Sequence, residues 1–194
     1  MEDLLAFLQS ICPLSPALIE HLQKIIKYRK VKKGEILLRP GQISKYIYFV
    51  KKGMLRAYYD KDGIDVSAWL MDEGKLVVSI PSFYDQAPSF ETIHALEDGE
   101  LYYISFDELE EVYQEFTEFN TVGRKLITKY LIDWARQIYG LRMNDAATKL
   151  AWLMENHPDW LLRVQQNYLA SFLGITDVRL SQIRRDVLDN KKGG

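Results

Sequence analysis

The sequence predicts an α+β chain: an antiparallel β barrel or sandwich, then a long helix, then a pair of short helices. Three observations lead there. From Tyr28 to Ser105, short apolar or alternating runs are separated by Gly-containing turns, the pattern of many short antiparallel strands. From about Phe119 to Leu141 the pattern is helical and free of proline. From Gln165 to Asp186 two short apolar-periodic runs flank Gly174-Ile175-Thr176, the form of two helices joined by a tight turn.

Before the strands, Glu2 to Ser10 reads as a short amphipathic helix. Ser15-Pro16 starts a second, with Ser as N-cap and Pro at the first helical position. Leu18, Ile19, Leu22, Ile25 and Ile26 give it one apolar face, suited to covering the open side of a β structure. In the β region, Lys32-Lys33-Gly34, Pro40-Gly41, Lys52-Gly53 and Gly74 punctuate the runs, and Asp62-Gly63 is a hairpin signal. Ser105-Phe106-Asp107-Glu108 has the form of a capping box, so a helix starts there.

The long helix would span roughly 35 Å, too far for one small domain to cover. Leu126, Tyr130, Trp134 and Ile138 share a stripe with Phe119 and Leu141, joined by Val122, so the helix is expected to form a seam with an identical partner helix. The alternative is packing wholly within its own subunit. Gly123 and Gly140 imply a close approach or a bend. Ala146 to Asn156 forms another helix, with Leu150, Leu153 and Met154 inward, ended by His157-Pro158. Trp160 to Val164 reads as a short strand or β-like lead-in, and Lys191 to Gly194 as a frayed tail.

In the last stretch Tyr168, Leu169, Phe172 and Leu173 form the first apolar run. Val178, Leu180 and Ile183 form the second, followed by Val187 and Leu188. Gly174 can end the first helix in a left-handed conformation, and Thr176 can cap the next. Asp177, Arg179, Ser181, Gln182, Arg184 and Arg185 then face outward, types that bond base edges and phosphates from the major groove.

Composition limits the alternatives. The chain has 194 residues, 47% hydrophobic and 27% charged, with a net charge of −2, so it is no polycation. From Arg179 onward, however, Arg179, Arg184, Arg185, Lys191 and Lys192 oppose only Asp186 and Asp189, and a local basic face is sufficient for DNA. Cys12 is the only cysteine, which excludes an intrachain disulfide and a multi-cysteine metal site. The acidic start MEDLLAFLQS is unlike a signal peptide, and no apolar run could span a bilayer. A cytoplasmic protein is expected. No nucleophile–base pair, metal-ligand cluster or phosphate-cradling Gly loop is present, and His21, His94 and His157 sit in unrelated contexts. No enzyme, metal or cofactor is expected. His94 falls where a strand should run and is read as a surface residue rather than a haem ligand.

KKGEILLRPGQISKYIYFVKKGMLRAYY (32–59), ALEDGELYYIS (95–105) and YLASFLGITDVRLSQIRRD (168–186) together resemble the CRP/FNR family of bacterial transcription regulators, over nearly the whole chain. The resemblance implies a jelly-roll-like, cyclic-nucleotide-binding-type barrel in 1–117, a dimerisation helix in 118–142 and a winged-helix-type helix-turn-helix domain in 143–194, the second wing being missing or vestigial. It implies a homodimer that binds double-stranded DNA, with RNA polymerase and a small-molecule effector as further candidate partners. It places Thr176, Asp177, Val178 and Gln182 at phosphate- and base-contacting positions. Many relatives carry Arg or Glu at two of these, so Asp177 and Val178 depart from the pattern. Gln182 and Arg179 are the base-contact candidates, and Thr176, Arg184 and Arg185 the phosphate-contact candidates.

Family members that bind cyclic AMP use a Gly-Glu pair and, about ten residues later, an arginine that meets the phosphate. Aligned without gaps, these positions fall on Val78-Ser79 and on Ser89, which is followed by Phe90. No arginine or lysine lies between Lys75 and Thr92, so cyclic AMP is not expected to bind. Val78, Ser79, Ser82, Phe83, Ser89, Phe90 and Thr92 remain as an effector pocket for a neutral or apolar ligand. The alternative is a barrel plugged by Phe83, Tyr84 and Phe90. The function expected is a ligand- or conformation-controlled DNA-binding regulator; the alternative is a small-molecule-binding or scaffolding protein with a degenerate DNA reader.

Overall fold

A computed structural model describes the backbone of residues 1–192 and the side chains of residues 1–186. The chain divides into two compact units, Met1–Tyr59 with Trp69–Tyr130, and Asp60–Ala68 with Leu131–Gly194.

The first unit begins with α1 (Glu2–Ile11) and α2 (Pro16–Ile25). Ser15 caps α2, its hydroxyl accepting from the Leu18 N–H at 3.3 Å. Eight strands follow in two antiparallel sheets. One sheet runs β1 (Lys27–Val31), β8 (Gly99–Ser105), β3 (Tyr46–Lys52), β6 (Leu76–Val77). The other runs β2 (Ile36–Leu38), β7 (Thr92–Ala95), β4 (Leu55–Lys61), β5 (Ile64–Met71). Between them, Val31, Leu38, Tyr48, Val50, Leu55, Ala57, Ile93 and Leu101 form the inter-sheet core. The sheets share no strand and do not close, so of the expected barrel or sandwich the chain forms two facing sheets, not the jelly-roll-like barrel that the resemblance implied.

Side chains alternate across each strand. Tyr48, Val50 and Leu101 point between the sheets, while Phe49 and Tyr102 point outward into a second core with Leu4, Leu8, Leu18 and Leu22 of α1 and α2. The first sheet is therefore buried on both faces, which explains why Tyr46 to Val50 and Leu101 to Ile104 are apolar without interruption. The hairpin β4–β5 turns at Asp62 and Gly63, whose φ values of 57° and 81° suit the two-residue turn of right-twisted strands.

Helix α3 (Ile80–Asp85) lies between β6 and β7. Then α4 (Phe106–Glu115) starts at the expected capping box: the Glu108 N–H donates to Ser105 Oγ at 3.3 Å, and the Ser105 N–H donates to Glu108 Oε2 at 3.0 Å. Helix α5 (Thr117–Met143) is one continuous helix of 27 residues, and the division between the units falls within it. Its first part buries Phe119, Val122, Gly123 and Leu126 in the helix–sheet core. Gly123 marks a close approach. A Cβ there would lie 2.8 Å from Tyr113 Cε1 and collide with the Tyr113 hydroxyl as well. Around Gly140 the nearest atom to such a Cβ is 3.9 Å away, an ordinary contact.

In the second unit, α6 (Ala146–Asn156), α7 (Trp160–Arg163), α8 (Gln166–Leu173) and α9 (Asp177–Lys192) surround Leu150, Leu153, Trp160, Leu169, Phe172, Leu180 and Ile183. Two sequence expectations are corrected here. Trp160 to Arg163 is one helical turn, with only Val164 extended; Trp160 is buried, stacked on His157 at 3.9 Å and set edge-on to Phe172, and that packing favours a turn over a strand. No strand is assigned between Leu131 and Lys192, so the expected winged-helix type has no wing among the described residues. Helix α9 runs to Lys192, past the expected start of a frayed tail. Gly193 and Gly194, and the side chains of Val187, Leu188, Asp189, Lys191 and Lys192, lie outside the described residues.

The hairpin tip 60–68 is fastened to α8 within this unit. The Ser171 hydroxyl accepts from the Ser67 N–H at 2.8 Å and donates to the Asp65 carbonyl at 3.1 Å.

The Gly123–Tyr113 contact makes a prediction of sign. In a helix interior Ala is favoured over Gly by about 1 kcal/mol, but overpacking costs about 1–3 kcal/mol. Gly123→Ala should lower the urea midpoint in the native background. In a Tyr113→Ala background, where the ring is gone, it should raise it. The same sign in both backgrounds would show that Tyr113 is not what excludes a side chain at 123.

Candidate functional site

Two places were singled out by sequence, one in each unit. In the first unit the seven expected pocket residues occupy three environments. Val78 and Phe83 pack into the helix–sheet core, Phe83 edge-on to Phe106 and to Tyr84. Phe90 is 59% exposed and set against the Tyr59 ring; Tyr84 is 43% exposed. The three aromatics therefore do not plug the space between the sheets.

Ser79, Ser82, Ser89 and Thr92 are buried. Ser82 is part of the loop framework: its hydroxyl accepts from the Ser44 N–H at 2.8 Å and donates to the Ala87 carbonyl at 2.5 Å. Ser79 and Ser89, ten residues apart, come together with hydroxyl oxygens 3.0 Å from each other. A carboxylate that sequence reasoning passed over joins them. Ser79 Oγ donates to Glu91 Oε2 at 2.7 Å, the Glu91 N–H donates to Ser89 Oγ at 2.9 Å, and Ser89 Oγ lies 3.2 Å from the Glu91 carbonyl. Glu91 is 7% exposed, and burial pushes its carboxyl above the usual 4.5, with the Ser79 hydrogen bond pulling the other way. The signal available in the sequence was an acidic residue two positions after Ser89, in a segment without lysine or arginine.

A separate concavity adjoins this loop. A pocket of about 400 Å³ is lined by β2, β3 and the loop between them, including Leu37, Leu38, Ile43, Lys45, Tyr46 and Tyr48. His94, expected at the surface, is half-buried in β7 with its ring 5.2 Å from that of Tyr58. Among the described residues, no three His, Cys, Asp or Glu side chains are grouped as a metal ion requires, and no helix is long and apolar enough to cross a membrane.

In the second unit, α8 ends at Gly174, which has φ 65° and ψ 38°. The Gly174 N–H donates to the Ser171 carbonyl at 3.1 Å and the Ile175 N–H to the Ala170 carbonyl at 3.0 Å, the paired bonds of a Schellman end. Lys149 Nζ reaches the Leu173 carbonyl at 3.1 Å, placing a cation at the negative end of the helix. Thr176 caps α9, its hydroxyl accepting from the Arg179 N–H at 3.2 Å. Leu180 and Ile183 are buried, while Thr176, Asp177, Arg179, Gln182 and Arg185 are exposed and Arg184 is partly so. Val178, counted with the apolar run in sequence, is 67% exposed and lies on the outer face. Ser181 is engaged, its hydroxyl accepting from Gln166 Nε2 at 2.7 Å. Asp145, the N-cap of α6, is held below the usual carboxylate range by the Thr148 backbone and side chain, with a smaller contribution from the Arg179 charge nearby.

The proposed seam residues divide. Leu126 faces its own core, and Tyr130 accepts from the Leu76 N–H at 2.8 Å through its hydroxyl. Trp134 is 47% exposed, and so are Ile127 at 53% and Leu131 at 57%. Ile138 is partly exposed.

The Glu91 carboxyl titrates higher in the folded chain than in the unfolded one. Between these two values the folded state holds more protons, so this group makes stability fall as pH rises above about 4.5. Glu91→Gln removes that contribution. Thermal melts across pH 4 to 8 should show the variant gaining on the native chain as pH rises; a constant difference would mean that Glu91 is not destabilised by burial.

Residues 28–116 match the family model for the cyclic nucleotide-binding domain. Several solved structures have a similar fold. CLP of Xanthomonas campestris, described as a c-di-GMP-responsive global regulator, is 17% identical, with 91% of this chain and 93% of that one covered and a TM-score of 0.68. FixK2 of Bradyrhizobium japonicum is 16% identical, with 86% of each chain covered and a TM-score of 0.73. A chain from Eubacterium rectale, whose description proposes a CRP/FNR-family transcriptional regulator, is 18% identical over 91% of this chain and 85% of that one, with a TM-score of 0.71. No curated protein matches at the level of sequence. The chain thus carries a match to the cyclic nucleotide-binding domain over 28–116, and its fold along most of its length is similar to that of these regulators.

Proposed function

We propose that this chain is a homodimeric, DNA-binding transcription regulator of the CRP/FNR type whose sensor unit does not take cyclic AMP. The observation that carries the DNA-binding reading is the pair α8 and α9. Their joint at Gly174 is fixed by two backbone hydrogen bonds, and α9 turns Leu180 and Ile183 inward while leaving Arg179, Gln182 and Arg185 outward. In this reading the pair is a helix-turn-helix. Arg179 and Gln182 contact bases, and Val178 meets a thymine methyl. Thr176, Arg184 and Arg185 contact phosphates. Asp177 assists the helix N-terminus, and Ser181 holds α9 to Gln166 rather than reading a base.

Dimerisation is proposed along α5, with Ile127 and Leu131 taking the place of Leu126 and Tyr130 in the sequence stripe and Trp134 and Ile138 retained. Ile127, Leu131, Trp134 and Ile138 follow one another at intervals of four, three and four residues, the spacing of a coiled-coil seam. The rejection of cyclic AMP is supported by Glu91. An ionised carboxylate and a phosphate about 4 Å apart repel by about 4 kcal/mol at the effective dielectric typical near a protein surface, and no arginine offsets them in 76–91.

The DNA reading is tested by fluorescence anisotropy with promoter duplexes at several salt concentrations. Arg184→Ala with Arg185→Ala should weaken binding at least tenfold and reduce the salt slope by about 2. Equal, salt-insensitive binding by both proteins would instead favour the scaffolding alternative. Trp134→Glu should shift the chain to monomer in sedimentation and weaken DNA binding with it; an unchanged dimer would remove α5 as the seam. Cyclic AMP at millimolar concentration should leave the melting temperature unchanged, and a clear rise would overturn that part of the reading.

A further inference from the structure

The pocket of about 400 Å³ lined by β2, β3 and their connecting loop adjoins the serine-rich loop, since the Ser44 N–H donates to Ser82 Oγ and the Ser89 N–H to the Gln42 carbonyl, but Ser79, Ser89 and Glu91 do not line it. Its size falls within the range of small-molecule sites. It reaches the inter-sheet core, since Leu38 and Tyr48 line it and are each 5% exposed. Leu37 and Ile43 add further apolar surface. Tyr46 is steadied by rings on two sides, edge-on to Tyr103 at 5.3 Å and tilted to Tyr48 at 6.1 Å. The wall is thus in place before a ligand arrives, which reduces the ordering cost of binding.

Charge narrows the ligand class. Lys45 is the only charged residue in the lining, and among the described residues its ammonium has no carboxylate partner. Tyr48 adds no charge near neutral pH, and burial pushes its phenol further up, to about 12. No carboxylate lines the pocket. Gln42 and Ser44 complete the lining without adding charge, and Lys45 stands at its exposed edge, so this largely apolar wall with one cation is complementary to an apolar molecule with a single negative charge.

We propose that this pocket is a binding site for a small amphiphilic monoanion, an apolar chain or ring bearing one carboxylate, with Lys45 meeting the carboxylate and Leu37, Leu38, Ile43 and the two tyrosines holding the apolar body. The proposal does not rest on the DNA-binding reading, and its test contains no DNA. Octanoate is the probe and octanol, with the same chain length and no charge, the control. Calorimetric titration of the full chain should give one saturable octanoate site. Lys45→Gln should weaken octanoate about tenfold and leave octanol unchanged, and Ile43→Trp, at a position 37% exposed and tolerant of a larger side chain, should abolish both. Absence of saturable octanoate binding to the native chain overturns the proposal. So does equal affinity for octanoate and octanol, or octanoate affinity unaltered by Ile43→Trp.

Discussion

Tyr113 lies across the backbone of α5 at Gly123, and that contact determines which face of the long helix its own unit covers. With the ring seated there, Phe119, Val122 and Leu126 turn into the helix–sheet core, and the Tyr130 hydroxyl is drawn to the Leu76 N–H. The neighbouring face, with Ile127 and Leu131, is left exposed. A helix offset by one residue would rotate by about 100° and exchange the two faces. The proposed dimer therefore depends on an intramolecular packing choice made near the start of the helix.

The β unit shows how a binding position can be occupied from within. Two serines ten residues apart are joined by a carboxylate from the same segment, so their hydroxyls have partners without any ligand. A buried acid with few donors carries a desolvation cost, and such costs persist in folded chains when the surrounding structure tolerates them. Under the proposed reading, this internal substitution for an external anion is what would set the unit apart from a cyclic nucleotide receptor while leaving the two-sheet framework in place.

Much of the fold was legible because local chemistry and tertiary structure agree. Ser15-Pro16, the Ser105–Glu108 capping box, Asp62-Gly63 and Gly174-Ile175-Thr176 each specify a backbone geometry through their own hydrogen bonds, and each is found in place. Failures came where two readings share one local pattern. The run Trp160-Leu161-Leu162-Arg163-Val164 is apolar enough for a strand or a turn of helix, and only the stack of Trp160 on His157 decides. Helix α5 is apolar on two adjacent faces, and a sequence stripe cannot say which of them meets its own core. Glu91 was missed because its role depends on Ser79 and Ser89 meeting in space. Phe90 was read as a pocket residue or, with Phe83 and Tyr84, as a plug, yet Phe90 and Tyr84 are both exposed.

The fastening of α8 to the β4–β5 tip has a consequence for how this chain can drift over evolutionary time. Both atoms that the Ser171 hydroxyl engages, the Ser67 N–H and the Asp65 carbonyl, belong to the main chain. Any residue except proline supplies the same groups at 67, and any residue at all supplies the carbonyl at 65. The fastening to α8 therefore constrains the length of that segment more than the side chains at 65 and 67, although Ser67 is itself buried. Deletion of a single residue between the turn and Ser67 would present the opposite edge of the strand to α8 and invert its inward and outward sides, so the fastening excludes indels more strictly than substitutions.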